Sequence, residues 1–201
     1  MDIELRQGSV TDADVDVLVN ASNTLLQLGS GVSGAIRIAC GRGYQAFLDQ
    51  VCAEAGGGLE PGAVVVTHAG SHPRARWIAH VAVMDYRPNA ELRGPDEARL
   101  RRGTLELMDA LAGIPEQGIS VGMVALGAGT GNLGVRLPTT IACELLRERA
   151  PENVKRVVFH GFTLVEYLNV LDVVRRYFPV DLSRESEDVR EYLKGLGDAA
   201  S

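Results

Sequence analysis

The 201-residue chain is 46% apolar and 23% charged, with a net charge of −6. That composition suits one well-buried domain and argues against a general nucleic-acid binder, since such a protein needs a phosphate-neutralising surface. No apolar run approaches the roughly 20 residues of a membrane span and Met1-Asp2-Ile3-Glu4 is not a signal peptide, so no membrane association and a cytoplasmic location are expected.

In chain order, Ile3 to Gln7 reads as a first strand and 8–12 as a turn. Val15 to Asn20 is a second strand, closed by Asn20 and Asn23. Helices are expected over Ser33–Cys40 and Tyr44–Ala55, the second amphipathic through Phe47, Leu48, Val51 and Cys52. The continuous apolar runs Ala63–His68 and Trp77–Met84 are typical of strands covered on both faces. His80, inside the second run, reads as a satisfied core histidine. Residues 85–102 are irregular and lead into a helix near Asp96–Leu111, with acids in its first turn. A strand over Ile119–Leu126, a helix over Pro138–Arg149, a strand over Arg156–Phe159 and a helix over Thr163–Phe178 complete an α/β sandwich. Binding is expected beyond the carboxyl ends of its strands.

From Pro179 onward the chain is a charged appendix. Ser183 is expected to cap a short helix with Val189, Tyr192, Leu193 and Leu196 on one face, docked on the preceding domain. Cys40, Cys52 and Cys143 lack metal spacing and read as reduced core residues, and the four histidines are scattered. Neither a metal site nor a cofactor is expected.

Two glycine loops carry the chemistry. Gly29, Gly31 and Gly34 fall between a strand and a helix start. Glycine lets backbone approach a phosphate closely, and the first-turn N–H groups of a helix are unpaired. Gly129-Thr130-Gly131-Asn132-Leu133-Gly134 matches G-x-G-x-x-G after a strand, so a dinucleotide-dependent oxidoreductase must be weighed. Its position two-thirds along the chain, and the lack of an acid at the end of the next strand, argue against that. No Gly-Lys-Ser/Thr occurs either. Two glycine loops facing each other could grip a diphosphate from both sides. Phe162, just past the last strand, could stack on a base or pack in the core.

These residues resemble a known family, the macrodomains, over roughly 1–178. Asn20-Ala21-Ser22-Asn23 followed by Gly29-Ser30-Gly31-Val32-Ser33-Gly34-Ala35-Ile36 is similar to the family signature N-A-A-N…G-G-G-V-x-x-A-I. Gly62 to Thr67, Ile78 to Val81 and Gly129-Thr130-Gly131 resemble further family motifs. The resemblance implies a three-layer α/β/α sandwich around a mixed sheet, and binding of ADP-ribose or a mono-ADP-ribosylated protein. By that resemblance Ser9 and Val10 meet the base and Phe162 packs on it. Asn23 bonds the distal ribose and is the candidate catalytic residue. Gly29, Ser30, Gly31, Val32 and Ser33 line the diphosphate and that ribose from one side, and Gly129, Thr130, Gly131, Asn132 and Leu133 from the other. Asn20 is expected to tie loop backbone together.

Two departures shape the expected activity. The family's Gly-Asp-Ile-Thr is here Gly8-Ser9-Val10-Thr11, so a charged acceptor for the base is missing. Ser33 stands where the hydrolytic branch carries an aspartate, and a serine without a base is a poor activator of water. The expected function is binding with weak or no hydrolysis. The alternative is an ADP-ribosyl-protein hydrolase or O-acetyl-ADP-ribose deacetylase acting through Asn23 and a bound water.

Overall fold

The computed structural model describes residues 1–91, 93–183 and 185–198. Its strands are β1 (Asp2–Gln7), β2 (Val17–Asn23), β3 (Val64–His68), β4 (Trp77–Met84), β5 (Ile119–Val124) and β6 (Val154–Gly161). They form one sheet in the order β1-β6-β5-β2-β4-β3. Only the β3–β4 pair is antiparallel, so the sheet is mixed. The helices are α1 (Gly31–Ala39), α2 (Tyr44–Glu54), α3 (Glu97–Ala112), α4 (Arg136–Arg149), α5 (Leu164–Val174) and α6 (Glu187–Asp198).

Alternation along β2 shows how the layers are built. Val17 and Val19 face a core shared with Leu107 of α3, Ile141 of α4 and Val170 of α5. Leu18 points the other way, against Ile36 of α1 and Leu48 of α2. All three strand residues are fully buried, as a central strand covered on both faces requires. The fold is therefore a three-layer α/β/α sandwich, as expected. From β2 the chain passes through α1 toward β3 and β4, whereas β5 passes through α4 toward β6 on the other side. This reversal opens a crevice at the carboxyl ends of β2 and β5, where open α/β sheets bind ligands.

Several boundaries differ from the sequence expectation. β2 runs to Asn23, because Asn20 finds its partners inside the protein and does not end the strand. β6 runs two residues further, to Gly161, held between β1 and β5. β5 ends at Val124, and the chain turns at 126–127. α1 begins at Gly31, two residues early, which brings Gly31 and Val32 into its first turn. Pro138 occupies the third position of α4, and α5 ends at Val174. Asp96 caps α3, accepting from Arg99 N at 2.8 Å. Thr163 and Glu166 form a reciprocal capping box on α5.

The C-terminal helix docks on α5. Leu193 is buried against Tyr167 and Leu171, and Val189 packs beside them. Tyr192 is 47% exposed and does not belong to that face; the Leu196 side chain lies outside the described residues, as do 199–201. Ser183 is not the cap: Ser186 Oγ accepts from Val189 N at 3.3 Å. The three cysteines are buried and unpaired, and burial pushes Cys40 and Cys143 up to about 12. Among the described residues no helix is long and apolar enough to cross a membrane.

Candidate functional site

A cleft with two lobes lies at the carboxyl ends of β1, β6, β5 and β2. The first lobe has a volume of about 300 Å³ and is walled mainly by apolar or small residues, including Val10, Val32, Ala35, Val124, Ala128 and Val135. The second, of about 240 Å³, is more polar and holds Ser22, Asn23, Gln27, Ser30, Ser33, Tyr86 and Thr130. Gly31, Val32, Ala125 and Gly129 border both, so they form the waist between the lobes.

The waist and the polar lobe are rich in unpartnered backbone donors. Ser30 precedes α1 without a side-chain cap, and the first intrahelical bond runs from Gly34 N to Ser30 O at 3.2 Å. The N–H groups of 29–33 make no hydrogen bond among the described residues, nor do those of 129–131 across the cleft. All eight residues border the polar lobe. Two facing runs of donors, one at a helix N-terminus, make a site for an anion that needs no lysine or arginine.

The glycines in these loops have different causes. A Cβ on Gly29 or Gly129 would meet nothing within 4 Å, so each leaves open space at the cleft wall. A Cβ on Gly131 would stand 2.4 Å from Gly127 O and 2.6 Å from Pro95 Cγ, so loop packing alone demands glycine there. Asn132 and Leu133, expected to line the site, border neither lobe. Asn132 adopts a left-handed φ of 55° and donates its N–H to Gly129 O at 2.8 Å, shaping the turn. Leu133 packs against the core.

Asn23 borders the polar lobe, but its amide is largely engaged. Oδ1 accepts from Leu25 N at 3.0 Å and Gln27 N at 3.1 Å, and Nδ2 donates to Gln27 O at 2.8 Å. One Nδ2 hydrogen remains for a ligand. Asn20 is fully buried and ties side chains together, contrary to the expectation that it ties loop backbone. Its Oδ1 accepts from Ser33 Oγ at 2.9 Å, and its Nδ2 donates to His80 Nδ1 at 3.1 Å. The strand register sets Asn20 opposite His80. His80 Nε2 then meets Tyr44 Oη and Thr67 Oγ1, each at 3.2 Å. Burial pulls this histidine down to about 3, so the ring is neutral and satisfied.

No ionisable group other than Tyr86 borders the polar lobe among the described residues. Asp16 lies at the opposite end of the sheet, where its carboxylate accepts from Ser120 N and Oγ at 2.9 and 2.7 Å. Asp85, nearer the cleft, is paired with Arg87 at 3.0 Å, and the Arg87 hydrogen bonds hold its carboxyl below the usual range.

Ser9 and Val10 border the apolar lobe, and Phe162 is 70% exposed at its rim. That exposure excludes core packing for Phe162. A Cβ on Gly161 would meet Tyr167 N at 2.3 Å; this close approach of α5 carries Phe162 and Glu166 to the cleft. The Ser9 hydroxyl is engaged with Thr11, 2.8 Å from its Oγ1 and 3.3 Å from its N. Sequence reasoning missed Gln27, Met84 and Tyr86 in the polar lobe, and Ala35, His160 and Glu166 in the apolar one. For His160 a signal existed: it has the parity of buried Val158 on one strand. The irregular stretch around Tyr86 offers none.

The Macro domain family model matches residues 19–142. A macro domain-containing protein of Streptomyces griseus is 34% identical over 173 residues, 84% of this chain and 94% of that protein. The chain spans about two fifths of the length of the first curated relatives it matches (42%, at 32% identity). Over a shorter stretch of 68 residues it is 46% identical to an O-acetyl-ADP-ribose deacetylase of Cronobacter sakazakii, covering 34% of this chain and 37% of that enzyme. Among solved structures, a Trypanosoma brucei macrodomain in complex with ADP-ribose superposes with a TM-score of 0.66 at 26% identity, over 84% of this chain and 67% of that one. An Oceanobacillus iheyensis macrodomain mutant with ADPR gives 0.71 at 22% identity, over 87% and 92%, which shows the shared fold. A mixed six-stranded sandwich with its cleft at the β2/β5 reversal, matched by the family model over more than half its length, places the chain in the Macro domain family.

Proposed function

We propose that this chain binds ADP-ribose, free or attached to protein, with weak or no hydrolysis, as a cytoplasmic protein. The observation that carries the reading is the pair of facing donor runs, 29–33 and 129–131, along the polar lobe, which reach the waist with the apolar lobe through Gly31, Val32 and Gly129. A diphosphate at the waist would set a base in the apolar lobe, against Phe162, and the distal ribose in the polar lobe, near Asn23. Of the expected site residues, Asn132 and Leu133 shape the loop and the others border the ligand. Residues 1–178 form the binding domain in this reading, and 179–201 an appendix to it.

The weak-hydrolysis part rests on the polar lobe. Ser33 spends its proton on Asn20, and no carboxylate or histidine borders that lobe among the described residues. Water attack at the anomeric carbon requires a group that accepts a proton. The Asn23 amide is no such group, so its part is to donate to a ribose oxygen. The alternative, a hydrolase or deacetylase, is favoured by the local identity to the Cronobacter enzyme and would need a base from the ligand itself. The test is turnover of mono-ADP-ribosylated protein and of O-acetyl-ADP-ribose. Rates well below about 1 per second, the low end of ordinary enzymes, are expected for both. A rate at or above that on either substrate contradicts the weak-hydrolysis reading.

A further inference from the structure

Three polar side chains border the apolar lobe among the described residues: Ser9, Glu166 and His160. Two are committed. Ser9 Oγ is engaged with Thr11, and Glu166 Oε2 accepts from Phe162 N at 2.9 Å and Thr163 N at 3.1 Å. His160 is different. It is 7% exposed, and neither buried ring nitrogen has a partner in good hydrogen-bond geometry among the described residues; the Gly8 backbone lies near enough to act on the ring but does not complete such a bond. Orphaned buried polar groups are rare in folded proteins and call for an explanation. Here the orphan borders an empty-walled apolar cavity at the end of β6, beside Gly8, Ser9 and Val10.

We propose that His160 supplies the side-chain hydrogen bond to the ligand's base. The proposal rests on the ADP-ribose reading above and names the residue that does what Ser9 was expected to do. Both ring nitrogens are buried as the ring stands, so contact with the base requires rotation about Cβ–Cγ, a broad torsion. Burial lowers the ring's proton affinity; Arg6 acts in the same direction, while Asp12 and the Gly8 carbonyl oppose it. The neutral ring carries one donor and one acceptor. A purine edge offers both complements, so either tautomer has a partner. An uncommitted hydrogen-bonding group facing the base raises affinity only for ligands that carry the base.

The test is calorimetry on wild type, His160→Leu and His160→Gln with ADP-ribose and with ribose 5-diphosphate, which lacks the base. Thermal melts establish that each variant is folded. His160→Leu should weaken ADP-ribose binding by about tenfold, the scale of one buried hydrogen bond, and leave ribose 5-diphosphate unchanged. His160→Gln, which keeps a donor and an acceptor, should recover most of the loss. In parallel, the His160 ring 15N signals of the wild type should shift on saturation with ADP-ribose. That measurement decides the matter even if a variant fails to fold. Wild type that binds no ADP-ribose overturns the proposed function itself. Wild type that binds it, with full affinity in His160→Leu, equal losses for both ligands, or unmoved ring nitrogens, overturns the role of His160 alone.

Discussion

Acidifying the solution should destabilise the protein through His80, by an amount the structure sets. The ring is fully buried between Asn20, Tyr44 and Thr67, and burial lowers its pKa from an ordinary 6.5 to about 3. A depressed folded-state value means that, between those limits, the unfolded chain binds the proton and the native one does not. Stability is therefore full above pH 6.5 and falls as the pH drops, by about 1.4 kcal/mol per unit. At pH 5 the loss is about 2 kcal/mol, a sizeable part of the roughly 5–15 kcal/mol typical of a domain. Urea unfolding at pH 7.5, 6.5, 5.5 and 5.0 measures it, with His80→Gln as the non-titrating control. His160, also depressed by burial, adds a slope of the same sign to both proteins. The difference between their slopes thus belongs to His80. Parallel pH profiles would show that the ring is not held neutral, and would refute the buried Ser33–Asn20–His80 chain as a fixed support of the polar lobe.

Three further outcomes follow from the cleft. Gly129→Val should keep the melting temperature close to wild type and weaken ADP-ribose binding at least tenfold, since its side chain would enter open space at the waist; Gly131→Val should lower the melting temperature, because its Cβ meets Gly127 O and Pro95. Unchanged affinity in folded Gly129→Val would remove 129–131 from the site. Ser33→Asp should raise turnover of mono-ADP-ribosylated protein by at least tenfold, a floor set below the ~10²–10⁴ of well-placed general-base assistance. The same change should lower the melting temperature, because the carboxylate is repelled by Asn20 Oδ1 and turned toward the lobe. A folded Ser33→Asp protein with wild-type turnover would contradict the placement. Asn23→Ala should abolish residual turnover and loosen the loop after β2, read as lost hydrogen-exchange protection at Leu25 and Gln27, whose N–H groups Asn23 Oδ1 accepts; retained protection would sink that assignment.

The layered fold was legible because its signals are local. Alternating or continuous apolar runs marked every strand, and Asp96 and Thr163 marked two helix starts. The two glycine loops that border the cleft were legible through their glycines. The pairing of side chains was hidden, since it depends on register. Asn20 meets His80 only because β2 and β4 align them, and that satisfaction lets the strand continue to Asn23 where polar residues suggested an end. Gly131 and Gly129 look alike in sequence, yet Pro95 from a distant loop makes one a packing residue and leaves the other at the open wall. His160 was passed over because its strand continues beyond the apolar run that announced it. Tyr192 looked buried by helical spacing, but docking of α6 uses Leu193 and Val189.

Calorimetric titration of the wild-type chain with ADP-ribose and with AMP tests the central claim most directly. AMP carries the base and one phosphate and reaches only the apolar lobe and the near side of the waist. A ligand spanning both lobes also engages 129–131 and Asn23. Saturable one-to-one binding of ADP-ribose, at least tenfold tighter than AMP, is the predicted result. No binding of ADP-ribose, or equal affinity for the two, would contradict a cleft built to hold a base, a diphosphate and a distal ribose together.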